Sequence, residues 1–388
     1  MEPANRATVI TPSQTLAIDA KAKQLRAAGE DVIGLAAGEP DFDTPEHIKA
    51  AAMGALEAGF TKYTPSSGIP ELRQAIAEKF KADNDLDYEP SQIIVSCGAK
   101  HSCFNAMLAV INEGDEVIIP APYWLSYPEM VRMVGGEPYI VETTAESGYK
   151  LTPDQLRENI SPGTKMLILN SPSNPTGAVY TETELVELAE IALEEQIYIL
   201  SDEIYEKLVY GEAKHTSIAA FTDTTLENTI VVNGFSKSYA MTGWRLGYLA
   251  APKAIAKAID SIQSHSTSNP TSFAQKGGLA ALKGPQDCVE EMRLKFDERR
   301  RRMHELLKNM PSVGVVEPQG AFYMMVDISA FGIDSTSFCT QLLEKEKVAL
   351  VPGLAFGNDR TVRMSFATDL ENIEKALGRF ARFCQSLR

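Results

Sequence analysis

The 388-residue sequence has no apolar run that approaches the roughly 18 residues needed to cross a bilayer. Its first six residues, MEPANR, include no apolar signal core, so we expect no secretory leader. Basic residues are few: 37 Lys and Arg stand against 52 Asp and Glu, and the formal net charge is −15. A chain this acidic is a poor candidate for binding nucleic acid or an anionic membrane.

Cysteine and histidine are also scarce, with five of each, and neither occurs at the spacing of metal ligands. The odd number of cysteines and the lack of a Cys-x-x-Cys pair argue against a disulfide framework and against a zinc site. No internal repeat or low-complexity linker is present. We therefore expect a cytoplasmic, reduced, globular protein, and its length favours an enzyme with two domains.

Short apolar runs alternate with amphipathic segments over the first three quarters of the sequence. The runs that predict buried strands are 93–95, 117–119, 166–169, 197–200 and 230–232. Continuous apolar strands between helices favour an α/β fold with a mostly parallel sheet covered on both faces. After about Gly284 the pattern changes to a long charged helix over about 287–309 and then to mixed elements, which predicts a smaller α+β domain.

A block of four arginines, at 299–302, lies within the long charged helix. Asp297 and Glu298 precede Arg301 and Arg302 by one helical turn, which is the spacing of favourable ion pairs. We therefore interpret the block as a solvated helix face and not as a patch that binds nucleic acid.

Small and charged residues follow the predicted strands, at the sheet edge where α/β proteins bind ligands. Gly98 and Ala99 lie between a strand and a helix, where backbone N–H groups can surround a phosphate, although a plain tight turn also explains them. Lys100 falls in the first helical turn, where the helix dipole disfavours a cation. This position indicates an anion nearby, and the alternative is an exposed lysine that is tolerated at small cost.

Lys237 follows another predicted strand. A lysine at the mouth of a buried sheet can be desolvated, which lowers its pKa and suits it to form a Schiff base, whereas a lone loop lysine would be solvated. Ser236 and Arg245 flank it with groups suited to phosphate. Asp202, at the end of a different strand, offers a carboxylate for a pyridinium nitrogen. Together these groups match what pyridoxal phosphate requires.

Specific motifs extend this agreement over nearly the whole chain, from about residue 12 to about residue 383. They are AGEPDFDTP at 37–45, YWLSYP at 123–128, SPSNPTG at 171–177, SDEIY at 201–205, SK at 236–237 and MTGWR at 241–245. On these motifs the sequence resembles the class I aminotransferases, which are fold-type I enzymes that depend on pyridoxal phosphate. Within them it is similar to the bacterial-type aspartate aminotransferases, a branch that is also associated with prephenate transamination.

The resemblance implies the domain organisation and the partners. A large cofactor-binding domain over 45–284 would hold the parallel sheet, a smaller α+β domain would span 285–388, and an N-terminal segment over 1–44 would join the small domain. The resemblance also implies a homodimer with shared active sites, in which Tyr63 reaches the phosphate in the neighbouring subunit. The remaining partners are small amino-acid and keto-acid substrates, with no nucleic acid, membrane or metal.

The resemblance also implies the site residues. Lys237 forms the Schiff base and moves the substrate proton, Asp202 keeps the pyridine nitrogen protonated, and Tyr205 hydrogen-bonds the ring oxygen. The other residues implied for the cofactor are Ala99, Lys100, Trp124, Asn174, Ser236, Arg245 and Tyr63. Those implied for the substrate are Gly38, Lys100, Trp124, Asn174, Arg363 and Ser13. In this assignment Arg363 grips the α-carboxylate, and Lys100 takes the distal carboxylate of a dicarboxylic substrate.

We therefore predict an enzyme of amino-acid metabolism that moves an amino group between L-aspartate and 2-oxoglutarate by a ping-pong mechanism. One alternative keeps the scaffold and changes the substrate to prephenate, an aromatic amino acid or another amino acid. Thr11 bears on it, because close relatives often carry a lysine there. Two further alternatives are a carbon–sulfur lyase and a non-catalytic protein that binds pyridoxal phosphate.

Overall fold

The computed structural model describes residues 3–8, 10, 11 and 14–388. The strands are β1 (Ile33–Gly34), β2 (Ile93–Ser96), β3 (Glu116–Ala121), β4 (Glu137–Glu142), β5 (Thr164–Asn170), β6 (Tyr198–Asp202), β7 (Thr229–Gly234), β8 (Gly247–Ala250), β9 (Gly314–Val315), β10 (Tyr323–Asp327), β11 (Val348–Ala349), β12 (Val351–Pro352) and β13 (Thr361–Ser365). The helices are α1 (Asn5–Thr8), α2 (Gln14–Ala27), α3 (Glu46–Glu57), α4 (Pro70–Asn84), α5 (Ala99–Val110), α6 (Ser126–Met133), α7 (Pro153–Asn159), α8 (Glu182–Glu194), α9 (Asp223–Asn228), α10 (Lys253–Ser266), α11 (Ser272–Lys283), α12 (Asp287–Lys308), α13 (Ser335–Glu346) and α14 (Leu370–Ser386). Across the described ranges, no helix has the length and apolar character of a membrane span.

The larger sheet has seven strands in the order β2-β8-β7-β6-β5-β3-β4. All neighbours are parallel except β8, which runs antiparallel to β2 and to β7. Every residue of β2, β7 and β8 is buried, as expected for strands with helices on both faces. The prediction of a mostly parallel α/β sheet is confirmed. Asn170 and Asp202, the last residues of β5 and β6, are direct neighbours at its carboxyl edge.

The smaller sheet is antiparallel, with four strands in the order β12-β13-β10-β9. Helix α14 buries Ile373, Leu377 and Phe380, which follow each other by about one turn and form its apolar face. Near the N-terminus, β1 pairs in parallel with β11, so residues from the two ends of the chain share a ladder. The domain boundaries after residues 44 and 284 stay predictions.

The arginine block of α12 differs from its prediction as a solvated face. Arg299 and Arg300 are only 9% and 6% exposed. Arg299 donates through both terminal nitrogens to the carboxylate of Asp41, at 2.7 and 2.9 Å, and Arg300 pairs with Asp297 and Glu317. The prediction is wrong for these two residues because carboxylates from outside the helix, Asp41 and Glu317, help to compensate their buried charge.

The sequence Thr44-Pro45-Glu46 predicts a helix that starts with a hydroxyl cap from Thr44, and the structure differs from this prediction. The helix begins at Glu46 after Pro45 and has no side-chain cap. The hydroxyl of Thr44 instead donates to the Ala240 carbonyl at 2.6 Å and accepts from Trp244 Nε1 at 3.0 Å. Thr44 therefore ties the segment before α3 to the loop that follows β7.

Candidate active site

A cavity of about 450 Å³ opens where the carboxyl edge of the larger sheet faces the smaller sheet. It brings together most of the site residues expected from the sequence. These are Gly38, Ala99, Lys100, Trp124, Asn174, Asp202, Tyr205, Ser236, Lys237, Arg245 and Arg363. Tyr63 does not line this cavity, and its side chain is 91% exposed. Ser13 lies outside the described residues.

Asp202 is a buried carboxylate at the end of β6. Its Oδ2 accepts from the Tyr127 hydroxyl at 2.7 Å, and its Oδ1 accepts from the backbone N–H of Ile204 at 3.3 Å. Burial raises the pKa of Asp202 to about 6, although both of these hydrogen bonds oppose the rise. A cation placed against this carboxylate would relieve the cost of its buried charge, so the site fits a protonated ring nitrogen.

Lys237 projects into the cavity from the segment after β7. Its Nζ donates to the Gly38 carbonyl at 2.5 Å. Burial lowers the pKa of Lys237 to about 8; the positive charges of Arg363 and Arg245 add to this effect, and the negative charge of Glu39 opposes it. The neutral form of the amine, which a nucleophile or general base requires, is therefore still the minor form at pH 7 but is far more populated than in an exposed lysine.

The N-terminus of α5 forms one wall of the cavity. Gly98 precedes the helix with φ of 90°, and a Cβ at this position would lie 2.5 Å from Nη2 of Arg245. A Cβ at Gly247 would lie 2.2 Å from the backbone nitrogen of Ala99. Both glycines thus allow backbone and guanidinium to approach closely around the first N–H groups of the helix, with Ser236 beside them. This arrangement suits a phosphate group.

Arg363 lies in the middle of β13 and is 2% exposed. Its terminal nitrogens donate to Asn174 Oδ1 at 3.0 Å and to the Ala36 carbonyl at 2.9 Å. Its guanidinium lies between two aromatic rings, 4.3 Å from the centroid of Tyr323 and 4.8 Å from that of Phe356. Among the described residues its Nε has no hydrogen-bond partner. A buried cation with a free donor is suited to an anionic ligand.

A second cation lies near the entrance. Lys100 Nζ is 4.9 Å from the centroid of Trp124, and Trp124 packs edge-to-face on Tyr127 at 5.2 Å. Partial burial lowers the pKa of Lys100, and the nearby charge of Arg245 lowers it further. Two of the basic residues that line the cavity thus lie apart from Lys237: Arg363 is deeply buried on the smaller sheet, and Lys100 lies at the mouth.

Two tyrosines, Tyr127 and Tyr323, hydrogen-bond to residues of the site, although the sequence analysis assigned them no role. Tyr127 belongs to the YWLSYP motif, and a buried tyrosine hydroxyl usually has a polar partner, so a signal for it existed. Tyr323 begins β10, and its hydroxyl lies 3.0 Å from that of Tyr205. No local pattern indicates this second contact, because the two tyrosines belong to segments that meet only in the folded chain.

Comparison with known proteins identifies the family. The model of aminotransferase class I and II matches residues 30–380, and the chain belongs to this family. The fold is that of the fold-type I enzymes, and the protein is an aminotransferase of a pyridoxal-phosphate-dependent class.

Among curated relatives, an aspartate aminotransferase from Bacillus subtilis (strain 168) is 51% identical over 99% of this chain and 99% of its own length. An aspartate/prephenate aminotransferase from Cereibacter sphaeroides is 48% identical over 97% of each chain. The solved structure of the Thermus thermophilus aspartate aminotransferase with maleate superposes with a TM-score of 0.95 at 46% identity. That match covers 99% of this chain and 100% of that one.

Proposed function

We propose that this chain transfers an amino group between L-aspartate and 2-oxoglutarate, which yields oxaloacetate and L-glutamate, with pyridoxal phosphate as its cofactor. The observation that carries the proposal is one cavity lined by the amine of Lys237, the carboxylate of Asp202, and two cations, Arg363 and Lys100. Two cations match the two carboxylates of a dicarboxylic amino acid. Relatives that are about half identical carry the name aspartate aminotransferase.

The residues of the cavity fit the cofactor, because the buried Asp202 gains from a cationic ring nitrogen and the α5 cradle suits a phosphate. Pyridoxal phosphate, when bound, supplies an aldehyde that takes up amines and a ring that accepts electrons from the substrate. The residues that would hold it are Ala99, Lys100, Trp124, Asn174, Asp202, Tyr205, Ser236, Lys237 and Arg245.

The chain's own groups then divide the work. Arg363 binds the α-carboxylate and orients the substrate Cα toward Lys237, and Lys100 holds the distal carboxylate. The neutral amine of Lys237 takes the proton from the substrate Cα and later gives it up as an acid. Asp202, as a carboxylate, holds the proton on the ring nitrogen. In the return half-reaction the two carboxylates of the keto acid bind to the same two cations.

A homodimer with shared sites is part of this proposal. Tyr63 is expected to reach the neighbouring subunit's phosphate, and its 91% exposed ring supports a role in contact with a second chain. A tyrosine usually buries most of its ring, so this exposure is unusual for a residue without a partner surface.

A second candidate is prephenate as an amino acceptor. Relatives from Cereibacter sphaeroides and Nitrosomonas europaea that are 48% and 44% identical carry the name aspartate/prephenate aminotransferase. The family resemblance implies a lysine where this chain has Thr11, and the Thr11 backbone N–H donates to Glu129 at 3.1 Å. The two candidates share every step except the identity of the keto acid.

The decisive experiment is a single half-reaction. Purified holoenzyme receives L-aspartate without any keto acid, and the cofactor absorbance and the oxaloacetate formed are followed together. We expect an absorbance change with one oxaloacetate per site, reversal by 2-oxoglutarate, and a much weaker response to L-alanine. Prephenate is then tested as the reversing acid. If aspartate changes nothing while an aromatic donor does, the assignment of Lys100 is wrong; if no amino acid acts, the transaminase proposal fails.

A further inference from the structure

Tyr323 and Arg363 lie on the same face of the smaller sheet. Tyr323 pairs with Ser365, and Met325 pairs with Arg363, in the antiparallel ladder of β10 and β13. Because residues two apart in a strand point to the same face, the side chains of Tyr323 and Arg363 are diagonal neighbours. The guanidinium lies 4.3 Å from the centroid of the Tyr323 ring, within the range of cation–π contact.

The hydroxyl of Tyr323 reaches in the other direction, to the larger sheet. It lies 3.0 Å from the hydroxyl of Tyr205, and both side chains are buried. Burial raises the pKa of each phenol, so both keep their protons through neutral pH. Within the described residues, each hydroxyl has the other as its only hydrogen-bond partner. One side chain thus contacts the proposed carboxylate-binding arginine and the proposed ring-oxygen donor.

A count of protons sets the direction of the shared bond once ligand is present. A phenol hydroxyl has one proton to donate and two lone pairs to accept with. If Tyr205 donates its proton to the cofactor ring oxygen, the bond between the two phenols needs Tyr323 as its donor. A Tyr205 hydroxyl that also accepts a hydrogen bond is oriented and is a stronger donor.

We infer that Tyr323 is a positioning residue that couples the two halves of the site: its hydroxyl directs the proton of Tyr205 toward the cofactor, and its ring holds the plane of Arg363 for the substrate carboxylate. The inference rests on the proposed function. It separates into a hydroxyl effect and a ring effect, which different substitutions remove.

The two effects can be measured without turnover. Tyr323→Phe removes the hydroxyl and keeps the ring, whereas Tyr323→Leu removes both. The readouts are the pH midpoint of the holoenzyme's visible absorbance without substrate and the Kd of maleate, a dicarboxylate that cannot react. Tyr180→Phe is the matched control, because the Tyr180 hydroxyl is buried and bonded to the Leu151 N–H at 2.8 Å but does not line the cavity.

A hydrogen bond from the Tyr205 hydroxyl to the cofactor ring oxygen favours the ionised form of that oxygen. A weaker donor at Tyr205 should therefore raise the pH midpoint of the holoenzyme's visible absorbance. We expect Tyr323→Phe to raise the midpoint by about 0.5 to 1 pH unit and to leave the maleate Kd within about twofold. Tyr323→Leu should raise the midpoint equally and weaken maleate about tenfold. Tyr180→Phe should move neither quantity.

A double-mutant cycle isolates the coupling. Tyr205→Phe should raise the midpoint at least as much as Tyr323→Phe, and the combination should add nothing to Tyr205→Phe alone. An unmoved midpoint in Tyr323→Phe, additive shifts in the double variant, or an unchanged maleate Kd in Tyr323→Leu would overturn the inference. If wild-type holoenzyme ignores maleate and aspartate, the proposed substrate fails instead, and the midpoints still decide the link between the tyrosines.

Discussion

The two sheets supply the site in different ways. The larger, mostly parallel sheet contributes residues where its strands end: Asp202 is the last residue of β6, and Lys237 follows β7. The smaller antiparallel sheet contributes Arg363 from the middle of β13 and Tyr323 from the start of β10. The carboxyl ends of the strands lead into loops and into the N-terminus of α5, which offers free backbone N–H groups, whereas a side chain within a sheet is held by neighbours on both sides.

The titration behaviour of the two halves differs as well. On the larger sheet burial shifts both reactive groups toward neutrality, with the pKa of Asp202 raised to about 6 and that of Lys237 lowered to about 8. Arg363 is just as buried, yet a guanidinium remains charged at any working pH. In the proposed function the groups that exchange protons therefore all lie on the larger sheet, whereas the smaller sheet contributes the fixed charge of Arg363.

The largest effect is expected when the proton-transfer amine is removed and the carboxylate-binding arginine is kept. Lys237→Ala should lower kcat with aspartate by at least about 10⁴-fold, since the amine is both nucleophile and base. Maleate should still bind within a few fold, because Arg363 is untouched. Steady-state rates and maleate titration of the holoenzyme measure both. The control is Lys253→Ala, an exposed lysine paired with Glu89; near-normal turnover by the Lys237 variant would refute the assignment.

The next largest effect is expected when the carboxylate-binding arginine of the smaller sheet is changed and the proton-transfer amine is kept. Arg363→Lys keeps the charge and loses the planar pair of donors, so the KM for aspartate should rise about 100-fold, with a smaller loss in kcat. Steady-state kinetics measure the split. Arg360→Lys, an exposed change three residues earlier in the chain, is the control and should be silent. Equal KM values for wild type and Arg363→Lys would show that the smaller sheet does not bind the carboxylate.

A third test separates catalysis from stability in the larger sheet. The folded pKa of Asp202 is about 6, above its ordinary 3.8, so ionisation destabilises the cofactor-free fold increasingly from about pH 4 to pH 6 and by a constant amount above that. Asp202→Asn avoids this cost. We expect the cofactor-free variant to be more stable at pH 7 by up to about 3 kcal/mol and to bind the cofactor more weakly.

Urea unfolding of cofactor-free protein at pH 4 and pH 7 measures this effect, and the difference from wild type should disappear at pH 4. Asp87→Asn, at an exposed residue that pairs with Lys81, serves as the control. Equal stability of wild type and Asp202→Asn at pH 7 would mean that the carboxylate is not held at a cost.

The smallest effect concerns the cation at the cavity mouth. Lys100→Ala should raise the KM for aspartate about tenfold and leave the KM for alanine nearly unchanged, because only aspartate has a distal carboxylate. Lys165→Ala is a matched control, since Lys165 also lies over an aromatic ring, that of Tyr198, outside the cavity. Equal changes for aspartate and alanine would remove Lys100 from substrate recognition.

The sequence was most informative about the larger sheet. Its buried strands appear as continuous apolar runs, and the residues that follow them, such as Asp202 and Lys237, are readable because strand and strand end are adjacent in the chain. Arg363 had no such signal of its own and was assigned only through the resemblance. The Thr44 hydroxyl does not cap helix α3. It donates instead to the Ala240 carbonyl, which is 196 residues away in the chain.

The sequence by itself determined the class of fold and the family, and it predicted the reactive groups at the ends of the parallel strands, because these depend on local periodicity and on adjacent residues. Only the tertiary structure decided that Arg299 and Arg300 are buried with distant carboxylates, and that Tyr323 contacts both Tyr205 and Arg363. Such contacts depend on where separate segments of the chain meet in the folded structure, and the residue pattern within one segment carries no information about that meeting point.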